Sequence, residues 1–211
     1  MIKQANNLWV RGFYFIADST LNKNTYLNDI KAALKAKVKV IQYRNKATPD
    51  RQMYEDAAKI KSLAKDVIFL INNRVDIALA IDADGVHLGN NDISYQIARK
   101  LLGKKKIIGL TVRNIKEAEI AQRIGADYIG VGPIFKTTTK PDAGRPVGVR
   151  LIKKIRREVS IPIVAIGGIN LDNAQEVISA GADALCAVSA VQRKSNLTKE
   201  ILKFQSLFHI S

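Results

Sequence analysis

Short apolar segments rich in β-branched residues alternate with longer segments of helical periodicity along the whole chain, and this alternation constrains the fold most. Each apolar segment is four to seven residues long, the length of an ordinary strand. Most are apolar at consecutive rather than alternate positions, which indicates strands buried on both faces, as in a parallel sheet. The predicted strands span residues 12–17, 38–44, 67–72, 85–88, 107–111, 128–131, 163–166 and 184–188.

The intervening segments place apolar residues at the i, i+3, i+4 spacing of amphipathic helices. The spacing is clearest over residues 26–34 and 117–124, and the second of these patterns ends at Gly125. A third pattern, over residues 177–180, ends at Gly181. Because glycine is the usual residue just past a helix, both glycines are predicted helix ends. Asp172 or Asn173 is predicted to cap the third helix.

Eight strand–helix units suit either a (β/α)8 barrel or an open doubly wound sheet. The chain has 211 residues, which is short for a barrel of about 250 but above the lower limit of about 200. The first predicted strand is followed by Asp18-Ser19-Thr20-Leu21, not by the glycine-rich turn of nucleotide-binding sheets. The expected fold is therefore of the α/β class, a single (β/α)8 TIM barrel. No linker or change in composition divides the sequence, so residues 1–211 are predicted to form one domain.

Composition narrows the range of partners. Lys and Arg number 34 against 19 Asp and Glu, and the net charge of +15 favours small anionic ligands such as phosphates. Aromatic residues are only 6% and no nucleic-acid-binding motif is visible, so nucleic acid is not expected. No apolar stretch exceeds five residues, which excludes a membrane span. A single cysteine and a start without a secretory pattern predict a cytoplasmic protein. A homo-oligomer is compatible with all of this.

Polar residues follow the predicted strands, where barrels place their active sites. Arg44, Lys46 and Lys140 are cations suited to phosphate groups. Asp92 is an oxygen ligand suited to Mg²⁺, a cation that also binds phosphates. We therefore expect one end of the site to bind a diphosphate together with a metal ion. The competing structural interpretation of Asp92 is that it caps a helix beginning near residue 93.

A second group of residues after the later strands suggests another phosphate subsite. Gly167-Gly168 and the turn after Val188 offer bare backbone N–H groups at the ends of the last two strands, a common phosphate site in barrels. Gly167-Gly168 could instead be only a tight turn. The loop over residues 137–140 carries hydroxyls beside a cation, which suits a lid over a phosphate.

The same strand ends contain little acid–base or nucleophilic machinery. Neither His87 nor His209 has a recognisable carboxylate partner, and Cys186 lies within a predicted strand. His87 is expected to be hydrogen-bonded inside the barrel. A reaction that mainly requires stabilisation of a charged leaving group fits this set best.

Several stretches, taken in order, resemble the thiamine-phosphate synthase family, a family of (β/α)8 barrels. The resemblance covers about residues 13–191. It is carried by six stretches, residues 40–46, 71–76, 83–89, 128–135, 137–140 and 161–169. It implies a transferase in which an aminopyrimidine diphosphate loses pyrophosphate and a thiazole phosphate captures the resulting pyrimidine methyl cation.

The resemblance also implies roles for individual residues. The diphosphate substrate would contact Gln42, Arg44, Lys46, Asn72, Thr111 and Lys140, of which Arg44, Thr111 and Lys140 are the catalytic candidates. The thiazole phosphate would contact Thr137, Thr139, Gly168, Val188 and Ser189. Mg²⁺ would be bound by Asp92 and by residue 73. The family usually has aspartate at that second position, whereas this chain has Asn73, a neutral ligand expected to weaken metal binding.

Two alternatives stay open from the sequence. One is a related thiazole tautomerase, which isomerises a thiazole phosphate; the other is a barrel that binds a phosphorylated metabolite without turnover. Arg44, Lys46, Asp92 and Lys140 together argue against both, because neither needs a pyrophosphate site. Tautomerase relatives place a histidine two residues after the Ser or Thr that ends the fifth strand, and this chain has Arg113 there. Asn73 is the feature that favours the non-catalytic barrel.

Overall fold

The computed structural model describes residues 9–19, 26–139 and 143–208, and its strands form a closed parallel barrel. Each strand pairs with the next along the chain, and the last pairs with the first. The strands are β1 (Gly12–Asp18), β2 (Val40–Arg44), β3 (Ile68–Asn72), β4 (Gly85–Leu88), β5 (Ile107–Val112), β6 (Tyr128–Val131), β7 (Ile163–Ile166) and β8 (Ala184–Cys186). The predicted TIM barrel is thereby confirmed.

Helices connect the strands and cover the outside of the barrel. They are α1 (Tyr26–Lys35), α2 (Asp50–Leu63), α3 (Val75–Ala80), α4 (Tyr95–Leu102), α5 (Ile115–Arg123), α6 (Val149–Glu158), α7 (Ala174–Ser179), α8 (Val188–Gln192) and α9 (Leu197–Ser206). The first two predicted helical patterns correspond to α1 and α5. In the part of the chain that the structure describes, no helix is both long and apolar enough to span a bilayer.

Two local predictions about helix and strand ends are wrong. The strand predicted to reach residue 188 ends at Cys186, and Val188 begins the short helix α8. A short apolar run does not distinguish a strand from the first turn of a buried helix, which explains the error. Asn173 stands at the start of α7, but its side chain does not cap that helix. It instead bonds backward to Asn170 N and Gly168 O, which stabilises the preceding loop.

Alternate strand residues build two separate apolar cores. Outward-facing residues such as Ile41, Phe69 and Ile129 pack beneath the helices in the larger core. Inward-facing residues fill the lower barrel in a smaller core that includes Tyr14, Leu70 and other inward-facing side chains. Both faces of every strand are therefore buried, which is why the sequence shows continuous apolar runs.

Pairing of the first and last strands closes the barrel over a short register. Only Gly12–Ala184 and Phe13–Leu185 are paired between β1 and β8, whereas β1 and β2 share five such pairs. Helix α9 packs on the β1 side of this junction: the Phe204 ring lies 5.2 Å from the Phe13 ring, and Gln205 Nε2 donates to Ala36 O, just after α1, at 2.6 Å. Side chains of α9 therefore cover the strand with which β8 pairs.

Candidate active site

A cavity of about 800 Å³ opens at the carboxyl ends of the strands. A volume of this size accommodates small-molecule substrates. Most of the site residues predicted from the sequence line it, although they come from distant parts of the chain: Gln42, Arg44, Lys46, Asn72, Asp92, Thr111, Thr137, Thr139, Gly168, Val188 and Ser189. Lys140 lies outside the described residues. The predicted residues therefore share one cavity, while their individual roles stay predictions.

Arg44 is held in place by a carboxylate that the sequence prediction did not include as a site residue. Asp18 ends β1, and its Oδ2 accepts from Arg44 Nη1 at 2.6 Å. The Asp18 residue is only 4% exposed, so its charge is sheltered from solvent. Both residues line the cavity, and β1 and β2 pair directly at Asp18 and Arg44. The ion pair fixes one edge of the guanidinium. Because no other described residue accepts a hydrogen bond from this side chain, its remaining N–H groups are left for an anion.

Asn73 contacts Asp92, which lines the cavity, although Asn73 itself is not among the lining residues. Asn73 Nδ2 donates to Asp92 Oδ1 at 2.6 Å, and the backbone N–H of Gly89 donates to Asp92 Oδ2 at 2.6 Å. Asp92 is thus occupied in orienting the β4 loop. The alternative that Asp92 caps the following helix is wrong, because α4 begins at Tyr95 and Ser94 accepts from Ile97 N as its cap.

The donor set around Asp92 fits Mg²⁺ only in part. Among the described residues, no three His, Cys, Asp or Glu side chains converge as a metal site. Mg²⁺ is commonly bound through one or two carboxylates together with substrate phosphates. Asp92 supplies one carboxylate, and the Asn73 amide can turn its oxygen toward the same ion. The residues therefore fit a metal ion that arrives with a diphosphate and is completed by it.

We expect the substitution Asn73→Asp to make the protein's stability depend on Mg²⁺. The new carboxylate would stand where the Asn73 amide now contacts Asp92, and two adjacent carboxylates repel each other unless a cation lies between them. The variant should unfold at a lower temperature than the parent without Mg²⁺ and recover with Mg²⁺, and its Mg²⁺ titration should shift to lower concentration.

Thermal unfolding and calorimetric Mg²⁺ titration would measure both effects of the Asn73→Asp change. The variant Asn196→Asp is a matched control, because it adds the same charge at an exposed residue outside the cavity lining, where an aspartate can keep the hydrogen bond to Lys199 N. Equal responses of both variants to Mg²⁺ would contradict a metal role for residue 73.

Glycines at the end of β7 let the preceding loop approach closely. Gly168 has a φ of +66°, and a Cβ there would lie 2.5 Å from Lys136 O. A Cβ on Gly167 would lie 2.6 Å from Pro133 Cα. Gly167 and Gly168 are therefore more than a tight turn. Because they have no side chains, the loop after β6 can pack against them, and this loop places Thr137 and Thr139 in the cavity lining.

Arg113 contacts the loop between β6 and α6 at a residue beyond Thr139. Its Nη2 donates to Ala143 O at 3.2 Å, and its backbone N–H donates to Glu117 Oε2. Arginine stays protonated at neutral pH and does not exchange protons in catalysis. The position that carries a histidine in tautomerase relatives therefore serves here as a cationic contact to the loop.

Sequence reasoning missed Tyr14 and Tyr128, which lie at the floor of the cavity. Both appear in the sequence as ordinary strand aromatics, yet their hydroxyls meet at 2.8 Å inside the barrel. A usable signal was the pair of glycines at Gly109 and Gly130, since inward-facing glycines in adjacent strands leave room for large rings. The expectation that His87 is bonded inside the barrel agrees with its contact to the Tyr128 hydroxyl.

Fold and site together define a TIM barrel with a small-molecule cavity at the carboxyl ends of its strands, whose lining includes the cations Arg44 and Lys46 and the glycines that follow β7. The model of the family described as thiamine monophosphate synthase matches residues 13–191. The chain belongs to the thiamine monophosphate synthase family.

Individual relatives support the same family. The thiamine-phosphate synthase of Methanosarcina mazei is 48% identical over 91% of this chain and 80% of its own length. That of Methanosarcina barkeri is 45% identical over 91% of this chain and 88% of its own. The solved structure of the thiamine phosphate pyrophosphorylase from Pyrococcus furiosus superposes with a TM-score of 0.88 at 37% identity, covering 97% of this chain and 98% of the other.

Proposed function

We propose that the chain is a thiamine-phosphate synthase, a transferase that joins an aminopyrimidine diphosphate to a thiazole phosphate and releases pyrophosphate. The observation that carries the proposal is one cavity lined by two separate groups suited to anions. Arg44 and Lys46 follow β2, while Gly168 and the start of α8 follow β7 and β8. In the closed ring β1 separates β2 from β8, and β1 and β8 separate β2 from β7, so the two groups occupy different sectors of the cavity wall.

The first side suits a leaving diphosphate. The C–O bond to the pyrimidine methylene breaks, and the electron pair departs with pyrophosphate. The Arg44 guanidinium, oriented by Asp18, would stabilise the developing negative charge together with Lys46. Asn72 and Thr111 line the same cavity and can add neutral donors. No proton has to be removed in this step, in keeping with the scarcity of acid–base groups.

The second side suits a monophosphate. Backbone N–H groups in the first turn of a helix lack partners within that helix, and Val188 and Ser189 begin α8 beside the cavity. Gly168 lines the same part of the cavity, and its lack of a side chain leaves room for the loop that carries Thr137 and Thr139. Thr137 and Thr139 add hydroxyl donors. A thiazole phosphate held here would present its ring nitrogen, whose lone pair forms the new C–N bond, toward the cation at the centre.

Mg²⁺ is part of the proposal. Asp92 and Asn73 would bind it, and when bound it neutralises charge on the diphosphate. We further propose that the enzyme acts in the cytoplasm, binds no nucleic acid, and can assemble as a homo-oligomer. Size-exclusion chromatography with light scattering would measure the assembly state.

Incubation of the purified protein with both substrates, with and without Mg²⁺, tests the function. Thiamine phosphate and pyrophosphate should form in equal amounts. No thiamine phosphate should form when the thiazole phosphate is omitted. Interconversion of thiazole carboxylate phosphate tautomers followed by NMR, without pyrophosphate, would instead identify a tautomerase. Tight binding of a substrate without any turnover would identify a binding protein.

We expect Lys140→Ala to lower kcat on the order of 10²-fold, the usual cost of removing one donor to developing charge. Thermal unfolding should be unchanged, because the resemblance assigns Lys140 to a loop that closes over the substrates. Lys136→Ala removes an exposed lysine of the same loop and serves as the control. Equal losses of activity in both variants would contradict a specific role for Lys140.

A further inference from the structure

A row of hydrogen-bonded polar side chains crosses the floor of the cavity. Each member comes from a different strand, and each is bonded to the next. We call these side chains the hydrogen-bonded row. In order, they are Asn72, Gln42, Tyr14, Tyr128, His87 and Thr111. The successive contacts measure 3.2, 2.7, 2.8, 2.9 and 2.9 Å.

The bond from Gln42 sets one direction in which every proton of the row has an acceptor. Gln42 Nε2 donates to the Tyr14 hydroxyl, and an amide nitrogen is a donor only. The Tyr14 proton can then go to the Tyr128 oxygen. In that direction the Tyr128 proton goes to His87 Nδ1, and His87 carries its own proton on Nε2 and donates it to Thr111 Oγ1. The distances alone permit either direction, so the tautomer of His87 distinguishes the two.

The two tyrosines keep the protons on which this direction depends. Burial raises the pKa of Tyr14 far above its ordinary value, although its bonds to Tyr128 and Gln42 oppose the change. Burial likewise raises the pKa of Tyr128, and Tyr14 reinforces that effect. Both hydroxyls therefore stay neutral near pH 7, and each remains able to accept one hydrogen bond while it donates another.

Two glycines provide the space in which the row is held. A Cβ on Gly109 would lie 2.1 Å from the Tyr128 ring, and a Cβ on Gly130 would lie 3.0 Å from His87 Cε1. The His87 and Tyr128 rings also pack on each other, with centroids 5.5 Å apart. The His87 ring is thus fixed by packing as well as by its two hydrogen bonds.

We propose that His87 is a positioning residue, which holds the Thr111 hydroxyl with its Nε2–H so that the Thr111 proton points into the cavity, toward the departing pyrophosphate. Because Thr111 Oγ1 already accepts from His87, and no described residue accepts from Thr111, its proton is available for an anionic ligand. This role rests on the proposed synthase function. It requires no proton transfer by His87 itself.

The tautomer of His87 is the direct test and needs no substrate. The chain has two histidines, so spectra of the ¹⁵N-histidine-labelled protein, compared with His209→Gln, assign the His87 signals. At about pH 8, where ordinary histidine is neutral, we expect one protonated Nε2 and one unprotonated, hydrogen-bonded Nδ1. Tyr128→Phe should shift the Nδ1 signal. A proton on Nδ1 would mean that the row runs in reverse, with Thr111 donating to His87, and would overturn the proposal.

Kinetics then separate positioning from general structural support. His87→Leu should lower kcat about tenfold, the value of one neutral hydrogen bond, with KM for the thiazole phosphate unchanged. His87→Gln keeps an acceptor and a donor on one terminal group, so its kcat should lie between those of His87→Leu and the wild type. When Thr111→Val is already present, adding His87→Leu should lower kcat no further, because the two residues act as one unit.

Failure of this proposal differs from failure of the proposed function. A wild-type protein that forms no thiamine phosphate but shows the Nε2–H tautomer would refute the synthase assignment and leave the row's direction intact. An active enzyme in which the losses from His87→Leu and Thr111→Val simply multiply would refute the positioning role alone. If His87→Leu does not fold, the His87→Gln variant and the wild-type tautomer still decide the matter.

Discussion

Replacing Arg44 by alanine is expected to reduce kcat/KM for the diphosphate substrate by about 10³-fold, at the upper end of the cost of one lost charge-stabilising donor. The guanidinium lies in the cavity and is oriented by a 2.6 Å contact to Asp18. Its removal takes away both a positive charge and a fixed set of donors. Steady-state rates of pyrophosphate release would measure the loss.

Two matched variants divide the Arg44 effect into charge and orientation. Arg44→Lys keeps the charge but not the planar set of donors, so it should recover only part of the rate. Asp18→Asn keeps Arg44 and removes the carboxylate that orients it, so it should show an intermediate loss. An Arg44→Ala enzyme with wild-type kcat/KM would contradict the assignment of the β2 end to the diphosphate.

Gly168→Ala is expected to raise KM for the thiazole phosphate by about 10- to 100-fold, the value of a hydrogen bond to a charged group. The new Cβ would lie 2.5 Å from Lys136 O and 2.7 Å from Phe135 Cβ, so the loop carrying Thr137 and Thr139 must move away. Such overpacking typically costs about 1–3 kcal/mol of stability as well. KM for the diphosphate substrate should change much less.

Gly103→Ala supplies the matched control for Gly168→Ala. Gly103 has nearly the same positive φ, +70°, but nothing lies within 4 Å of the added Cβ. With a ψ of −177°, Gly103 lies in a region that is essentially confined to glycine, so Gly103→Ala should lose about 1–3 kcal/mol of stability to backbone strain and leave both KM values unchanged. If Gly168→Ala behaves like Gly103→Ala, close approach of the loop to β7 does not support substrate binding.

The barrel and the position of its site could be predicted because both follow from periodic or local signals. Runs that are apolar at consecutive positions predicted strands buried on both faces, and the residue after each run predicted the cavity lining. Arg44 and Asp92 were found in this way. Asp18 and Asn73 also follow predicted strands, but the contacts of Asp18 with Arg44 and of Asn73 with Asp92 join neighbouring strand ends, and only the pairing of the strands brings these residues together.

Other features depended on tertiary structure that no local pattern encodes. Tyr14 and Tyr128 are separated by 114 residues, and nothing near either one in sequence indicates that their hydroxyls meet. The end of β8 was misjudged because Val188 is β-branched and apolar, as a strand residue would be, while its position requires a helical turn. Asn173 resembled a cap, but the preceding loop offered its side chain better partners.

The short register between β1 and β8 has a consequence for how the barrel assembles and opens. Strands β1 and β8 are the most distant neighbours in sequence, so their pairing closes the largest loop and bears the highest entropy cost of any strand pair. Because only two register pairs join β1 and β8, this pairing, the seam of the barrel, is expected to form last during folding and to open first in native-state hydrogen exchange. Helix α9 packs on β1 beside this seam, so amide protection in β1 would report on the docking of a helix more than 180 residues away.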